Sequence, residues 1–411
     1  MSEVTVRVNH MARTASHDVD ATDYDVIVVG GRVAGASTAL LLARCGHRVL
    51  VVERSPMPSD TVSTHAILRT GILQLSRWGV LDDVVAAGTP PVRRVTLGFG
   101  DERIGFEVKP DFGVDRFYAP RRHLLDHLLL QKAEEAGAVV RDGTTMKDLL
   151  RGDDGSVRGV LVGRGESQEQ VTARFVIGAD GHRSRVADLV GARDSRHHKA
   201  TNAVHYAYYR DVGADGFWFQ FTPGVNAGLI PTNDDQCLVF AARPTALHRR
   251  FAADPDGEMG RLLTMAAPDL AEVVAAGTRE TRFYGTTGLD GFIRQAWGPG
   301  WALVGDAGFT KDPISAHGIS DALRDAELCA RAVDRVLRDP SDGPAALDWY
   351  ATLRDDLSQR LFEESRALAA YRWDAAEASA RMRAISQATR DECESLASLP
   401  DWSAVTGLAR V

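Results

Sequence analysis

The residues "VVGGRVAGAS", 28 to 37, set three glycines between an apolar run and a helix-forming run. A glycine-rich turn opening a helix offers backbone N–H groups and a partial positive charge to a pyrophosphate. Gly30 supplies the tight turn, and Gly35 allows the helix to pack closely on the strand. Gly31, Val33 and Ala34 complete the loop. Arg32 stands where the second glycine of G-x-G-x-x-G belongs, and its guanidinium is read as a partner for a phosphate oxygen. Glu53 ends the next apolar run about 20 residues on, where a carboxylate can accept from a ribose hydroxyl, and Arg54 follows it. The same turn also serves plain close packing, so the surrounding chain must decide.

"YDVIVVGG" (24 to 31) reads as a strand and "AGASTALLLARCGHR" as a helix stopped by Gly46; "VLVVER" (49 to 54) reads as a second strand, completing a βαβ unit. "PRRHLLDHLLLQKAEEAG" (120 to 137) repeats leucine at helical spacing, and strands are expected at about 138 to 141, 157 to 163 and 171 to 178. From 202 to 242 the chain becomes short, β-branched and aromatic between turn residues, the pattern of an antiparallel sheet. "WALVGD" (301 to 306) returns to a buried strand, a long helix follows, and 344 to 396 is helical.

At 411 residues the chain exceeds what one core usually holds. A net charge of -8, from 48 Lys plus Arg against 56 Asp plus Glu, argues against nucleic acid as a partner. Residues 1 to 22 are polar without an apolar h-region and read as a disordered leader. No stretch approaches the roughly 18 apolar residues of a membrane helix, so a cytoplasmic protein with no membrane partner is expected. Cys45, Cys237, Cys329 and Cys393 show no C-x-x-C spacing; reduced, mostly buried thiols and no metal site are expected.

Two later stretches carry the discriminating pattern. "FVIGADGHRSRV" (175 to 186) is an apolar strand entering a G-A-D-G turn. "ALVGDAGFTKDPISAHGISDALRDAE" (302 to 327) is a strand, an aspartate, a proline seven residues later and a glycine-opened helix. With the first motif, and with Arg122 heading the leucine-spaced helix, they resemble the FAD-dependent monooxygenases of the para-hydroxybenzoate hydroxylase type, the group A aromatic hydroxylases. The resemblance covers roughly residues 22 to 375.

It implies an α/β fold in which a Rossmann-like FAD-binding domain, 23–200 and 299–340, is interrupted by an antiparallel-sheet substrate domain, 201–298, and followed by C-terminal helices, 341–411. It implies bound FAD and transient NAD(P)H. Oxygen would add at the flavin C4a, and the hydroperoxide would transfer its terminal oxygen to a small aromatic or polyketide-like substrate. Position by position, Glu53 would bind the adenosine ribose and Arg122 the adenosine or pyrophosphate side. Asp180 and Gly181 would touch both FAD and the nicotinamide cofactor. Gly305 and Asp306 would meet the ribityl chain, with Pro313 beyond them. His317, Gly318, Ile319 and Ser320 would present helix-start N–H groups to the pyrimidine edge, where reduction places negative charge.

The chain departs from the family pattern at "AHGIS" (316 to 320), where G-Q-G-x-N is usual, and at Ala187, where an arginine usually ends the middle motif. The second departure places the usual route of NAD(P)H in doubt. Bland readings stand beside the functional ones: Asp180 and Asp306 as turn or cap residues, His317 as packing, "RDSRHHK" (193 to 199) as a solvated loop. His205, Ala207 and Tyr209 should project from one face of the substrate sheet and Tyr206, Tyr208 and Arg210 from the other; one aromatic face should line a pocket for a flat ring. His65, His205 and Tyr206 are the candidates for a catalytic base.

Three other readings share these motifs. A flavin-dependent halogenase should carry a W-x-W-x-I-P signature, absent here. A geranylgeranyl-reductase-like enzyme is left open by "AHGIS". A non-catalytic flavin-binding protein would draw on the departures at Arg32, Ala187 and 316 to 320.

Overall fold

The computed structural model describes residues 23–402, so the expected leader lies outside the described residues. The chain opens with β1 (Tyr24–Val29), α1 (Val33–Arg44), β2 (Val49–Val52), α2 (Arg69–Arg77) and α3 (Leu81–Ala86). Next come β3 (Arg94–Phe99), β4 (Glu102–Glu107), α4 (Arg122–Glu135), β5 (Val139–Arg141), β6 (Thr145–Arg151), β7 (Val157–Arg164) and β8 (Ser167–Gly178). The middle holds α5 (Arg185–Val190), β9 (Asp194–His198), β10 (Asn202–Arg210), β11 (Phe217–Thr222), β12 (Val225–Pro231) and β13 (Cys237–Pro244). Three helices follow, α6 (His248–Ala253), α7 (Pro255–Ala266) and α8 (Pro268–Ala275), then the short strands β14 (Thr278–Arg279), β15 (Tyr284–Thr286), β16 (Gly291–Arg294), β17 (Trp297–Gly298), β18 (Trp301–Leu303) and β19 (Phe309–Thr310). Three long helices close the fold: α9 (Gly318–Arg338), α10 (Gly343–Ala369) and α11 (Ala375–Ala397).

β1 lies parallel between β2 and β8, and β18 joins β8 on the far side. Successive residues of β1 go to opposite cores. Val26 and Val28 pack with α1, α4 and α9; Ile27 and Val29 pack with the β6–β7 layer. A strand covered on both faces must be apolar throughout, which is why its sequence shows no alternation. At its end Gly30 takes φ +110°, open to glycine alone, and a Cβ there would run into the Ala179 carbonyl; one at Gly35 would run into the Gly30 carbonyl.

The second sheet runs β14-β10-β13-β12-β11-β3-β4. The sequence placed it at 201–298 and made it antiparallel. Both statements need correction, because β3 and β4 come from far upstream and β3 pairs parallel with β11, Val95 opposite Phe217. The period-2 reading caught the local hairpins but not a strand added from far upstream, Val95 pairing with Phe217. Helices α6 to α8 also occupy part of that span and cover one face of the sheet, over Ala207, Tyr209, Leu229 and Val239. The other face presents Tyr206, Tyr208, Phe217, Phe219 and Phe240, with Ile314 and the side chains of α10 and α11 packed on it. Among the described residues no helix is long and apolar enough to cross a membrane. Cys237, Cys329 and Cys393 are buried, and all four thiols are free.

Candidate active site

A cavity of about 800 Å³ opens at the carboxyl ends of β1, β2, β8 and β18, where open α/β sheets place their ligands. The β1–α1 turn, Glu53 and Arg54 line one end; the segment from Asp306 to Ala322 and the loop 61–66 line the other.

At the first end Glu53 is nearly buried and fixed by backbone. Its Oε2 accepts the Gly31 N–H (2.8 Å) and its Oε1 the Ser55 N–H (2.8 Å). Arg122 grips Asp126 one turn along α4, Nε to Oδ1 at 2.9 Å. Arg32 reaches the same carboxylate, Nη1 to Oδ2 at 2.8 Å, and donates as well to the Ser59 hydroxyl (3.1 Å). Arg32 was expected to pair with a phosphate; here its terminal nitrogens serve Asp126 and the loop 59–60, so that with Arg122 two cations share one wholly buried carboxylate and leave a net positive charge beside the turn.

Asp180 accepts from the Ser184 hydroxyl (2.6 Å) and from the Arg185 and Val186 N–H groups (2.7 and 3.1 Å), so its side chain performs the cap role. Burial nonetheless raises its carboxyl against those bonds. Gly181 beside it takes φ +82°. Asp306 differs: among the described residues nothing bonds its carboxylate, which is exposed to the cavity and raised by desolvation from the surrounding protein. The turn that presents it is held from behind, Gly305 N–H to Asp325 Oδ2 at 3.2 Å.

The far end is a network of buried charge. Ala316 adopts φ +52° and delivers His317 to the start of α9. His317 is fully buried, and its Nε2 bonds Glu392 on α11 at 2.9 Å. Glu392 also accepts from Thr70 (3.0 Å) and Arg324 (3.0 Å). Burial alone would raise its carboxyl; the His317 bond, with the charges of His317 and Arg324, holds it at about 2. Asp321 pairs with Lys311 and Arg324. His317, Asp321 and Glu392 bring ligand-type atoms within 4.8 Å of one another, yet two cations already neutralise the carboxylates. The arrangement is an ion network. A Cβ at Gly318 would meet nothing within 4 Å, while Ile319 and Ser320 are buried behind it and Pro313 lies in the lining.

His65 lines the cavity at φ +65°. Its Nε2 is hydrogen-bonded to the Tyr208 hydroxyl, and burial pushes the imidazole down to about 3, so it is neutral at pH 7. The Arg121 guanidinium sits 3.8 Å over the Tyr208 ring. Tyr206 stands one step back, its hydroxyl accepting the Ser63 N–H at 3.2 Å. His205 is not at the site, which corrects its candidacy as a base. It points to the opposite face of the sheet, stacked 3.8 Å from Phe251 of α6, and burial with His248 lowers it to about 4. Sequence reasoning missed Asp126, Lys311, Asp312, Asn202, Tyr371 and Glu392; for Asp312 the proline after it was a usable signal.

The residues present fit FAD. The glycine cradle admits backbone against a pyrophosphate, Asp306 is a cavity-facing carboxylate without a partner, and α9 begins with its N–H groups beside open space.

A family model described as "FAD binding domain" matches residues 23–365. Aklavinone 12-hydroxylase DnrF of Streptomyces peucetius is 28% identical over 389 residues, covering 85% of this chain and 75% of the relative. Digeranylgeranylglycerophospholipid reductase 2 of Methanopyrus kandleri is 27% identical over 331 residues, covering 76% of each. The crystal structure of Pseudomonas aeruginosa PqsL in complex with 2-aminobenzoylacetate superimposes with a TM-score of 0.77 at 25% identity, over 89% of this chain and 99% of that one. With its cavity at the strand ends and this match over most of its length, the chain belongs to the FAD binding domain family, as an oxidoreductase of the aromatic-hydroxylase type.

Proposed function

We propose that the protein is an FAD-dependent monooxygenase that uses NAD(P)H and O2 to hydroxylate a small aromatic or polyketide-like substrate. The observation that carries this reading is the cavity itself, which runs from the glycine turn to Pro313 and His65, with His65 hydrogen-bonded to Tyr208 on the aromatic face of the second sheet. A ring-bearing substrate would bind at that end, beside the flavin. DnrF, by its name a hydroxylase of aklavinone, supports the substrate class.

Bound FAD would supply hydride acceptance and oxygen activation. The chain's own groups bind and orient. Glu53 would accept a ribose hydroxyl on a carboxylate already locked by Gly31 and Ser55. Arg122 would face the pyrophosphate while the Arg32–Asp126 contact keeps the loop closed. Asp306 would accept from ribityl hydroxyls. The α9 N-terminus, from His317 to Ser320, would stabilise negative charge at the pyrimidine edge. His65, neutral, would hold the Tyr208 hydroxyl in one direction behind the cavity wall, with the Arg121 guanidinium over the Tyr208 ring.

The test is anaerobic reduction of the purified flavoprotein by NADH or NADPH across a panel of phenolic and polyketide compounds, followed by turnover in isotopically labelled O2. Faster bleaching with one compound, and label in its product, is expected. Label-free saturation of a substrate double bond would move the assignment to an FAD-dependent reductase. That reading is favoured by the Methanopyrus kandleri relative and by "AHGIS" in place of the usual motif.

A further inference from the structure

Asp312 precedes the turn Pro313–Ser315, and its two oxygens are treated differently. Oδ1 accepts the Ile314 N–H at 3.0 Å and the Asn202 side-chain amide at 2.9 Å. Asn202 opens β10, and its own oxygen accepts the Tyr371 hydroxyl at 2.9 Å. Tyr371 sits between α10 and α11 at φ +52°, a conformation that tyrosine rarely adopts. Three remote segments are therefore aligned behind one oxygen. Oδ2 has no partner, although Asp312 is fully buried and belongs to the cavity lining. A capping role accounts for Oδ1 and leaves Oδ2 unexplained. Buried polar atoms are otherwise almost always satisfied, so an orphan beside a cavity marks a place that a ligand completes.

We propose that Asp312 is the acid–base residue of this site, its Oδ2 taking the proton of a hydroxyl group on the aromatic substrate and returning it after the oxygen transfer. This rests on the reading of the cavity as an FAD site with a ring bound beside Pro313. In the step the substrate O–H bond breaks and an Oδ2–H bond forms; the electron pair stays on the substrate oxygen, which then donates more strongly into its ring.

Burial lifts the Asp312 carboxyl to about 7 against the two N–H donors on Oδ1, so both protonation states are available near neutrality. The groups around it leave it that freedom. Tyr371 is directed at Asn202, and Arg243 of β13 beyond it is paired with Glu258. On its own segment Lys311 is turned to Asp321 and His317 to Glu392. From α10, Leu361, Leu368 and Ala369 belong to the apolar cluster that also holds Ile314 of the same turn.

The test compares the full-length protein with Asp312→Asn and Tyr371→Phe. Flavin absorbance is titrated from about pH 5.5 to 9 without substrate, and thermal unfolding is followed over the same range. The wild type is expected to show a flavin transition near pH 7 that Asp312→Asn lacks and that Tyr371→Phe moves upward. The unfolding midpoint of Asp312→Asn should gain on the wild type as pH rises from 5 to about 7 and then level off, since over that span the carboxyl is ionised in the unfolded chain, ordinary value 3.8, while the buried one keeps its proton. A transition that persists in Asp312→Asn, or a midpoint gap flat with pH, would overturn the proposal. A flavoprotein that titrates as expected yet never consumes O2 would remove the monooxygenase reading and leave Asp312 as the proton carrier of a reductase. A protein that takes up no FAD would remove both.

Discussion

The two ends of the cavity are built on different principles. At the dinucleotide end the contacts are made by backbone and by absent side chains: Gly30, Gly35 and a carboxylate held by the N–H groups of Gly31 and Ser55, just past the ends of β1 and β2. At the flavin end they are made by charged side chains that converge from α2, α9, α11 and the 311–315 segment, Glu392 meeting His317 across 75 residues of chain. A backbone site tolerates change around it but not an added atom. A charge network tolerates volume changes but not the loss of one member.

The largest contrast should come from Gly35→Val. The new side chain collides with the Gly30 carbonyl, in a turn tied to β2 by the Gly30 N–H to Val52 carbonyl bond, so the variant should retain no flavin through purification, read as the flavin-to-protein ratio. Flavin retained at the wild-type ratio would mean that the turn is not the pyrophosphate seat. Glu392→Ala comes next. It takes the hydrogen-bond partner of buried His317 and one of the three carboxylates on Arg324, which keeps Asp321 and Asp325, a loss of about 1–3 kcal/mol by denaturant unfolding. Glu392→Gln, which keeps the shape, should fall between the variant and the wild type.

Acid should act at the flavin end through His65. Its imidazole titrates at about 3 in the fold because burial disfavours the charged form, against an ordinary value of 6.5. The unfolded chain takes up the proton first as pH falls below 6.5, so this residue withdraws stability progressively from about pH 6.5 down toward 3, by at most about 1.4 kcal/mol per pH unit. His65→Gln should flatten the unfolding midpoint between pH 7 and 4.5 relative to the wild type; an unchanged slope would show that His65 is not the group responsible. The smallest effect belongs to His205→Leu, which faces α6 and should leave flavin content and substrate-stimulated reduction within about twofold of the wild type, since it touches neither end.

The same contrast explains what the sequence revealed. The strand, glycine turn and helix of residues 24–44 are local, and their types and spacing follow from backbone geometry alone, so the reading of Gly30, Gly35 and Glu53 needed no tertiary information. Arg32 was legible as a cation beside the loop but not as the partner of Asp126, because Asp126 lies on α4, whose periodic pattern says only that one of its faces is buried. Tyr206 and Tyr208 were correctly assigned to the face opposite His205 by the period of the strand; which of the two faces meets the cavity depended on α6 to α8, which the pattern had not separated from the sheet. Glu392 was illegible in any local sense. A glutamate on an amphipathic helix is ordinarily solvated, and only the packing of α11 on α2 and α9 buries it.

The placement of Glu392 also has a consequence for the history of each molecule. The glycine turn at residues 30–35 is among the first parts of the described chain to leave the ribosome, and Glu392 is among the last. A nascent chain, or one cut before α11, would carry the whole dinucleotide fingerprint while His317 and Arg324 lack the carboxylate that joins them. Among the described elements α11 is therefore the last needed to complete the buried ion network behind the cavity.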